Sequence, residues 1–528
     1  MSNKIIVNGD ALKIKDVYDV SLKNKEVSFP DDLSFKNKIN KCRDFLESYI
    51  KKGYPVYGVT TGFGDSCHNQ ISPEKSELLQ RSLVNFHGVG FGNFFSEEEC
   101  RAVTLVRLNS NAKGYSAVRL EVLELMRDFL NNGIVPVIPE LGSVGASGDL
   151  TPLSYLAAAL MGERKCYYKG QILDAKDGLK KAGLKPVKLQ AKEGLALMNG
   201  TSVMTAIAAL AYVDIEKLAN ISDFLTGVTV GILNGNDIPY RSKVSEIKNH
   251  PGQLESAEKI YKVVEDTKRV HKYEHLLNKI GTIEENQYKK TDFKIQDRYS
   301  VRCAPQITGV LRDTLSFSKV WIENELNSAN DNPLIDAENN IIYNSGNFYG
   351  GHMSCACDYL RIALANISDL SEKQAELIVD GKYNSLTENL IPDLEGSPEK
   401  QGLFHGFKAA QISITALCSE IQFLSAPVSI HSRPTEAMNQ DKVSLGTISA
   451  RKLREMVDLL YIQFGIHLAA VLQAIDLIGK NEFNGRVQKV YNELRKIVAF
   501  VKEDRPLDNE IRALSKFLKE SEIFNNLD

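Results

Sequence analysis

The sequence predicts a mainly α-helical protein organised as a bundle of long helices. Apolar residues recur at helical spacing through most of the chain, and after about residue 215 almost every segment shows that period. Residues 448–478 keep one apolar stripe over many turns. At ~1.5 Å rise per residue, helices of ~25–30 residues are rods ~40 Å long, typical of bundles that associate with copies of themselves. We expect an N-terminal domain over residues 1–215 and the bundle over residues 216–528.

Composition and charge exclude several classes of protein. Hydrophobic residues make up 43% and charged residues 25% of the chain, as in ordinary globular proteins. The formal net charge of −3 and the lack of a lysine- or arginine-rich arm argue against a nucleic-acid partner. The eight cysteines are scattered without a Cys-x-x-Cys pair, so we expect neither a zinc ribbon nor a disulfide framework.

The most apolar runs of the chain are short. Those around residues 202–213 and 467–478 are interrupted and fall below the ~18–20 residues that a membrane helix needs. The start of the chain is too short and too polar for a signal peptide, so we expect a cytoplasmic protein without a membrane partner. His271 and His275 lie four residues apart but lack the His-Glu-x-x-His order, so we expect a solvated helix face and no metal.

The N-terminal elements alternate helices with glycine-rich turns. A short strand and helices over residues 12–22 and 35–51 precede a glycine-punctuated loop at residues 56–65. Neither a helical nor a strand period explains this loop, which is typical of a functional segment such as a lid. Further predicted elements are helices at 72–86, 97–111 and 117–131 and a hairpin at 167–173 with Gly170 at its turn.

The later elements are almost all helices. Residues 202–213 are nearly all apolar, which places that helix in the middle of a bundle. The remaining predicted helices span residues 218–233, 255–266, 309–327, 352–380, 406–424 and 448–478. We find no internal repeat and no low-complexity linker, so the sequence does not define the position of the domain boundary near residue 215 sharply.

One stretch, residues 142–153, fits no regular period and has Ala146-Ser147-Gly148 at its centre. No lysine follows as in a phosphate loop, and the Gly-x-Ser-x-Gly elbow is one residue short. It can be a plain helix start, with Ser147 or Asp149 as N-cap. It can also be a reactive backbone, in which the Gly148 nitrogen attacks the carbonyl two residues back and loss of water leaves a methylidene-imidazolone electrophile.

Residues 142–154 resemble the signature of the aromatic amino acid ammonia-lyases, which comprise the histidine, phenylalanine and tyrosine enzymes and related aminomutases. The resemblance continues in family order at residues 57–64, 197–201, 296–306, 330–334, 345–348 and 439–441. It implies the ammonia-lyase and fumarase-like helical architecture and a homotetramer whose active sites draw on several subunits. It also implies a methylidene-imidazolone cofactor formed from Ala146, Ser147 and Gly148, without a metal or external cofactor.

The resemblance implies a role for each matched residue. Asn199 would hydrogen-bond the ring oxygen, Tyr57 would be the catalytic base and Tyr299 a second active-site tyrosine. Arg302 would pair with the substrate carboxylate through its planar fork. The other implied substrate contacts are Gly64, Phe86, His87, Gln296, Asn332, Phe348 and Gln440.

Taken singly, several of these residues also have ordinary structural explanations. Asn199 can be a helix N-cap, Tyr57 and Phe348 can be packed aromatics, and Arg302 can form a structural ion pair. A phenol with a pKa near ~10 needs hydrogen bonds or a nearby positive charge to act as a base at neutral pH.

Two positions bear on the substrate. At Phe86-His87 histidine enzymes resemble Ser-His, many tyrosine enzymes His-Leu and phenylalanine enzymes Phe-Leu, so this chain departs from all three. His87 can instead be a core histidine satisfied by a backbone carbonyl. Histidine enzymes carry glutamate where this chain has Gln440, and the phenylalanine and tyrosine enzymes carry glutamine.

These positions favour phenylalanine or tyrosine as substrate. We therefore expect deamination of L-phenylalanine or L-tyrosine to trans-cinnamate or p-coumarate plus ammonia. The alternatives are an aminomutase with the same electrophile, a histidine ammonia-lyase and a catalytically silent helical scaffold.

Overall fold

Helices account for most of the structure. The computed structural model describes residues 4–291, 294–393 and 397–525. It is 59% helix and 7% strand, so the predicted mainly α-helical fold is confirmed. The chain forms two compact units: Met1–Val213, Ser318–Tyr359 and Pro427–Arg454 make the first, and Asp214–Phe317, Leu360–Ala426 and Glu455–Asp528 the second. The single predicted boundary at residue 215 differs from these units, because two later segments belong to the first.

The helices divide into an N-terminal set of moderate length and a later set that includes four long ones. The first set is α1 (Ile14–Leu22), α2 (Leu33–Lys51), α3 (Ser76–Phe86), α4 (Glu97–Ala112), α5 (Leu120–Asn132), α6 (Leu150–Leu160), α7 (Ala175–Lys181) and α8 (Glu193–Met198). The second set is α9 (Ser202–Ile232), α10 (Ser242–Lys248), α11 (Pro251–Val264), α12 (Tyr273–Ile280), α13 (Tyr299–Arg302), α14 (Ala304–Leu326), α15 (Gly351–Val379), α16 (Gly381–Asn384), α17 (Lys408–Leu424), α18 (Gly446–Ile478), α19 (Gly485–Leu494) and α20 (Asp508–Glu520). The long helices α9, α14, α15 and α18 contribute residues to both units.

Short strands pair into small sheets in the first unit. They are β1 (Ile5–Ile6), β2 (Val27–Ser28), β3 (Phe91–Phe94), β4 (Ile134–Pro136), β5 (Pro139–Leu141), β6 (Lys165–Tyr168), β7 (Gln171–Asp174), β8 (Leu334–Asp336) and β9 (Ile341–Tyr343). The sheets are β1-β2, β3-β5, β4-β6-β7 and β8-β9, of which only β1-β2 is parallel among the described strands. Lys169 and Gly170 join β6 to β7 with φ of 50° and 74°, which confirms the predicted hairpin and its glycine turn.

The prediction of two helices over residues 202–213 and 218–233 is wrong, because α9 runs without a break. The predicted gap rested on the charged residues that follow Val213. The Asp214 carboxylate accepts a hydrogen bond from the Tyr461 hydroxyl at 3.1 Å, and Lys217 forms an ion pair with Glu522 at 3.1 Å. Because these polar groups find partners and neither glycine nor proline intervenes, the helix continues.

The centre of the first unit is α4, which is buried along almost its whole length. Its Arg107 donates to Asn330 Oδ1 at 2.9 Å, and a second buried cation, Lys192 just before α8, pairs with Asp331 at 2.5 Å. Both members of this ion pair have fully buried side chains. These contacts fix the segment leading to Asn332 and the start of the short helix that ends at Asn199.

Helix α18 is long and apolar enough by composition to cross a membrane. Its most apolar stretch is 78% buried inside the protein, however. A helix that is apolar on all sides and covered by other elements is typical of a protein core.

The second unit contains a fully buried histidine on α18. His467 Nδ1 lies 3.0 Å from Ser371 Oγ, and burial lowers the pKa of His467 to about 3. Between pH 6.5 and pH 3 the unfolded chain therefore binds a proton that the folded chain does not, so the free energy of unfolding falls as pH falls.

We expect the His467→Gln variant to lose less stability on acidification than the wild type. The difference should reach about 2 kcal/mol between pH 7 and pH 5, measured by urea unfolding at both values. The control is His405→Gln, which replaces an exposed histidine of the same unit and should keep the wild-type slope. Equal slopes for all three proteins would contradict the assignment.

Candidate active site

A tight loop joins β5 to α6 in the first unit. Gly145, Ser147 and Gly148 have φ of 77°, 50° and 77°, in the left-handed region that a serine adopts only at a cost of about 1 kcal/mol. A side chain at Gly148 would overlap the carbonyl of Gly200, so that position requires glycine. The backbone therefore makes a tight turn at residues 146–147.

Ser147 is held by three hydrogen bonds from distant segments. Its carbonyl oxygen accepts from the Gly200 backbone N–H at 3.2 Å and from Asn199 Nδ2 at 3.3 Å, and its Oγ accepts from Gln440 Nε2 at 3.3 Å. Asn199 is thus not acting as a helix N-cap: its amide points at the serine. Its Oδ1 is buried and has no hydrogen-bond partner among the described residues.

Asp149 connects the loop to the start of α9. Its carboxylate accepts from the backbone N–H groups of Val203 and Met204 at 2.9 and 3.0 Å, from Ser143 Oγ at 3.2 Å and from Thr447 Oγ1. The Asp149 side chain therefore caps α9. If residues 142–153 were only a plain helix start, Asp149 would instead cap its own helix, α6. Burial raises the pKa of Asp149 to about 6, and the four hydrogen bonds oppose that rise.

The loop faces a cavity of about 810 Å³ in the first unit. Seven predicted site residues line it: Tyr57, Gly64, Ala146, Ser147, Asn332, Phe348 and Gln440. They come from five separate stretches of the sequence, and the fold brings them to one place. Asn332 is further oriented by the Ser345 backbone N–H, which donates to its Oδ1 at 2.7 Å.

Tyr57 belongs to the glycine-punctuated loop and is largely buried. Its hydroxyl accepts a hydrogen bond from the Gly64 backbone N–H at 2.8 Å. Burial raises the pKa of Tyr57, the Gly64 hydrogen bond opposes this rise, and Cys67 and Glu436 add to it. Within this unit the phenol is therefore harder to ionise than a free tyrosine.

Glu436 is a residue of this site that sequence reasoning missed. Both of its carboxylate oxygens accept from the Asp65 backbone N–H at 3.1 Å, which ties the Tyr57 loop to the segment that carries Gln440. Glu436, Ala437 and Met438 all have φ between 50° and 65°. No local pattern signals the contact between Glu436 and Asp65, because these residues are 371 positions apart in the sequence.

Phe86 and His87 lie at the end of α3, and neither is among the residues lining the cavity. His87 Nδ1 lies 3.0 Å from the Leu83 carbonyl oxygen, and burial lowers the pKa of His87. Because a carbonyl only accepts, Nδ1 carries the hydrogen and the neutral ring presents Nε2 as an acceptor. Phe86 is 55% exposed and its ring centroid is 4.3 Å from that of His87.

Gln296, Tyr299 and Arg302 belong to the second unit. Tyr299 is 72% exposed, and the Arg302 guanidinium lies over its ring at 4.6 Å. Arg302 Nε donates to the Asp297 backbone oxygen at 3.0 Å. Among the described residues Arg302 has no carboxylate within ion-pair distance, so the structural ion pair that its residue type allows is not formed.

His271 and His275 are also in the second unit. Their rings stack in parallel with centroids 5.3 Å apart. Across the described residues no group of three histidine, cysteine or acidic side chains is arranged to hold a metal ion. His271 and His275 therefore contact each other by ring stacking within the second unit.

Comparison with known proteins adds to this geometry. The family model described as aromatic amino acid lyase matches residues 12–496. A histidine ammonia-lyase from Alkaliphilus oremlandii is 37% identical over 524 residues, covering 98% of this chain and 97% of the relative. The structure of a tyrosine aminomutase from Streptomyces globisporus superposes with a TM-score of 0.93 at 32% identity, covering 99% of this chain and 98% of that one. For a histidine ammonia-lyase from Trypanosoma cruzi the TM-score is 0.87 at 28% identity, with 99% and 95% covered.

The helical fold and these matches define a carbon–nitrogen lyase that releases ammonia. The family model spans most of the sequence, and relatives above 30% identity align over nearly all of it. The chain belongs to the aromatic amino acid lyase family. The predicted resemblance is confirmed, and this family is known to use a methylidene-imidazolone group.

Proposed function

We propose that the protein eliminates ammonia from L-phenylalanine or L-tyrosine through an electrophile formed from Ala146, Ser147 and Gly148. The products are trans-cinnamate or p-coumarate and ammonia. The observation that carries this proposal is the left-handed Ser147, whose carbonyl accepts hydrogen bonds from both Asn199 and Gly200.

The loop fits the chemistry of ring closure. The Gly148 nitrogen bonds to the Ala146 carbonyl carbon, and the Ala146 oxygen leaves as water. The Ser147 hydroxyl and its Cα hydrogen leave as a second water, while the Ser147 carbonyl oxygen stays on the ring. Asn199 and Gly200 both donate to the Ser147 carbonyl oxygen, which becomes the ring oxygen. Their hydrogen bonds draw electron density towards this oxygen and so strengthen the electrophile.

Once formed, the methylidene-imidazolone supplies an electrophile that turns the substrate amine into a better leaving group without a metal. The chain's own residues do the remaining work. Asn199 and Gly200 hold the ring oxygen, and Asp149 fixes the loop to α9. Tyr57 is the base that takes the proton from the substrate's β-carbon.

Gln440 supports an aromatic hydrocarbon or phenol ring over an imidazole. Its amide lies 3.3 Å from Ser147 Oγ, at the edge of the reacting group. The family resemblance associates histidine-specific members with a glutamate at this position, whose charge would attract an imidazole. A neutral amide provides no such charge, so an uncharged substrate ring is favoured.

A second copy of the chain completes the site in this proposal. Within the described part of the chain Arg302 has no carboxylate at ion-pair distance, and the exposed Tyr299 lies beside it. In a homotetramer with shared sites, Gln296, Tyr299 and Arg302 of another copy bind the substrate carboxylate.

The direct test is to incubate the purified protein separately with phenylalanine, tyrosine and histidine and to record product absorbance. We expect the unsaturated acid from phenylalanine or tyrosine and ammonia in equal amounts. Product from histidine alone would contradict the substrate proposal while keeping the lyase chemistry. No product from any of the three would favour the silent scaffold.

An aminomutase is the second candidate function. The superposition on the tyrosine aminomutase is closer than that on the histidine ammonia-lyase, with TM-scores of 0.93 and 0.87. Such an enzyme uses the same electrophile and returns ammonia to the β-carbon. Chromatography of the products separates the two functions, because a β-amino acid accumulates only in the second.

His87 should distinguish tyrosine from phenylalanine. His87 is not among the residues lining the cavity of the first unit, so its contact with the substrate ring rests on the resemblance. Its Nε2 is an acceptor, and a phenol offers the matching O–H donor whereas phenylalanine offers none. We expect His87→Phe to lower kcat/KM for tyrosine about tenfold, the effect of one lost hydrogen bond, and to leave phenylalanine within about twofold. Phenylalanine turnover by the same variant is the control, and an unchanged ratio between the two substrates would contradict this role.

A further inference from the structure

Tyr299 and Arg302 lie on a helix of a single turn. Helix α13 contains only four residues, Tyr299–Arg302. One turn of helix has almost no stability of its own, because nucleation fixes several backbone angles for one hydrogen bond. The position of both side chains must therefore be set by groups outside the turn.

Two fully or almost fully buried side chains donate to the backbone of this turn. The Tyr240 hydroxyl donates to the Val301 carbonyl oxygen at 2.8 Å. Gln374 Nε2 donates to the Ser300 carbonyl oxygen at 2.9 Å, and also to Thr226 Oγ1 at 2.9 Å. Tyr240 is 0% and Gln374 1% exposed, so both donors are shielded from water. All of these residues belong to the second unit.

A third contact orients the Arg302 side chain. The backbone N–H and Nδ2 of Asn236 both donate to Asp297 Oδ2, at 3.0 and 2.9 Å. The backbone oxygen of Asp297 in turn accepts from Arg302 Nε at 3.0 Å. Asn236 thus fixes the residue against which the guanidinium is aligned.

The turn borders a cavity, and its Val301 side chain packs in a hydrophobic cluster of the second unit. This cavity of about 320 Å³ is lined by Asn236, Asp297, Arg298 and Val301 among others. Val301 is 1% exposed, so packing anchors this one side chain of the turn. The hydrogen bonds to the carbonyl oxygens of Ser300 and Val301 add the directional contacts that orient the backbone on either side of it.

We propose that Tyr240 and Gln374 are positioning residues for recognition of the substrate carboxylate. They act through the carbonyl oxygens of Val301 and Ser300 to hold Tyr299 and Arg302 in their binding geometry. This inference rests on the proposed function, in which Arg302 binds that carboxylate. Because the carboxylate is bound in both the ground state and the transition state, losing the alignment raises KM more than it lowers kcat.

The test uses Tyr240→Phe and Gln374→Met in the full-length protein, since each removes one donor with little change of shape. We expect KM for the amino acid to rise about five- to tenfold in each, with kcat within about twofold of the wild type. Inhibition by trans-cinnamate or p-coumarate, which carry the same carboxylate, should weaken by a similar factor. Formation of the ring from residues 146–148 should be unaffected, as judged by intact mass.

Two matched controls lose equivalent buried hydrogen bonds elsewhere in the same unit. The Tyr461 hydroxyl donates to Asp214 Oδ1 at 3.1 Å, and Gln463 Nε2 donates to the Ser368 carbonyl oxygen at 2.8 Å. Both side chains are almost fully buried. Tyr461→Phe and Gln463→Met should reduce the melting temperature as the test variants do but leave KM unchanged.

The possible results separate the inference from the proposed function. An active wild type with unchanged KM in both test variants overturns the inference and leaves the proposed function standing. An equal rise of KM in the control variants overturns it as well, because general loosening then explains the effect. A wild type that neither closes the ring nor releases ammonia overturns the proposed function and, with it, the inference.

Discussion

Replacing Ser147 by alanine is expected to abolish release of ammonia, lowering kcat about a thousandfold or more. Alanine has no hydroxyl to lose, so the second dehydration cannot occur and no methylidene forms. The measurement is steady-state ammonia release from phenylalanine and from tyrosine at saturating concentration. The Ser147 Oγ accepts one hydrogen bond, from Gln440. If the variant lost only this contact, the fall in kcat would be far smaller, about the effect of one hydrogen bond.

Ser143→Ala is the matched control for this experiment. Ser143 is a second serine of the same loop, and its Oγ donates to the Gly148 carbonyl oxygen at 3.3 Å. Its hydroxyl plays no part in ring closure, so this variant should keep measurable activity while losing some stability. A Ser147→Ala protein with the wild-type rate would refute the proposed mechanism.

Replacing Tyr57 by phenylalanine is expected to lower kcat by about 10²–10⁴, the usual contribution of a general base. The substrate should still bind, because the phenol is not its carboxylate or ring contact in this account. In the wild type the rate rises with pH as Tyr57 ionises, and burial, which raises the pKa of Tyr57, moves that rise to higher pH. The variant should lack this limb of the pH–rate profile.

A second tyrosine controls for loss of a hydroxyl in the same unit. Tyr155 exchanges hydrogen bonds with the Gly90 backbone at 3.1 and 3.3 Å and is not among the residues lining the cavity. Tyr155→Phe should keep both the rate and the shape of the pH profile. A Tyr57→Phe variant that retained its rising limb would assign the base to another group.

The sequence was sufficient for most of the fold because its signals are local. Apolar spacing predicted the helices, and a glycine between two β-prone runs predicted the β6-β7 hairpin. The break predicted within α9 failed because the charges after Val213 find partners in distant segments, at Tyr461 and Glu522. Those partners lie more than two hundred residues away, beyond any local pattern.

The candidate site was predictable to the extent that single stretches carry it. The order of Ala146, Ser147 and Gly148 and the resemblance of the other stretches pointed to seven residues that line one cavity, and to others that do not line it. The capping of α9 by Asp149 and the tie between Glu436 and Asp65 were not predictable. Both are contacts of buried or strained groups across the fold, and they depend on three-dimensional proximity.

The roles proposed for Tyr299 and Arg302 depend on the proposed assembly as well as on the chain itself. Tyr299 is 72% exposed, and among the described residues Arg302 has no carboxylate at ion-pair distance. Both features are compatible with the role in another copy's site that we propose for them. Their single-turn helix is nevertheless defined within the second unit by Tyr240, Gln374 and Asn236. Recognition of the carboxylate in our account is therefore set inside one subunit and used in another.

The central claim is that residues 146–148 make their own electrophile, and intact-mass spectrometry of the purified protein tests it most directly. Closure of the ring removes two molecules of water, so the account predicts a mass lower than that of the sequence by that amount. The deficit should localise to the peptide that contains Ala146, Ser147 and Gly148. A protein with the full mass of its sequence would contradict the claim.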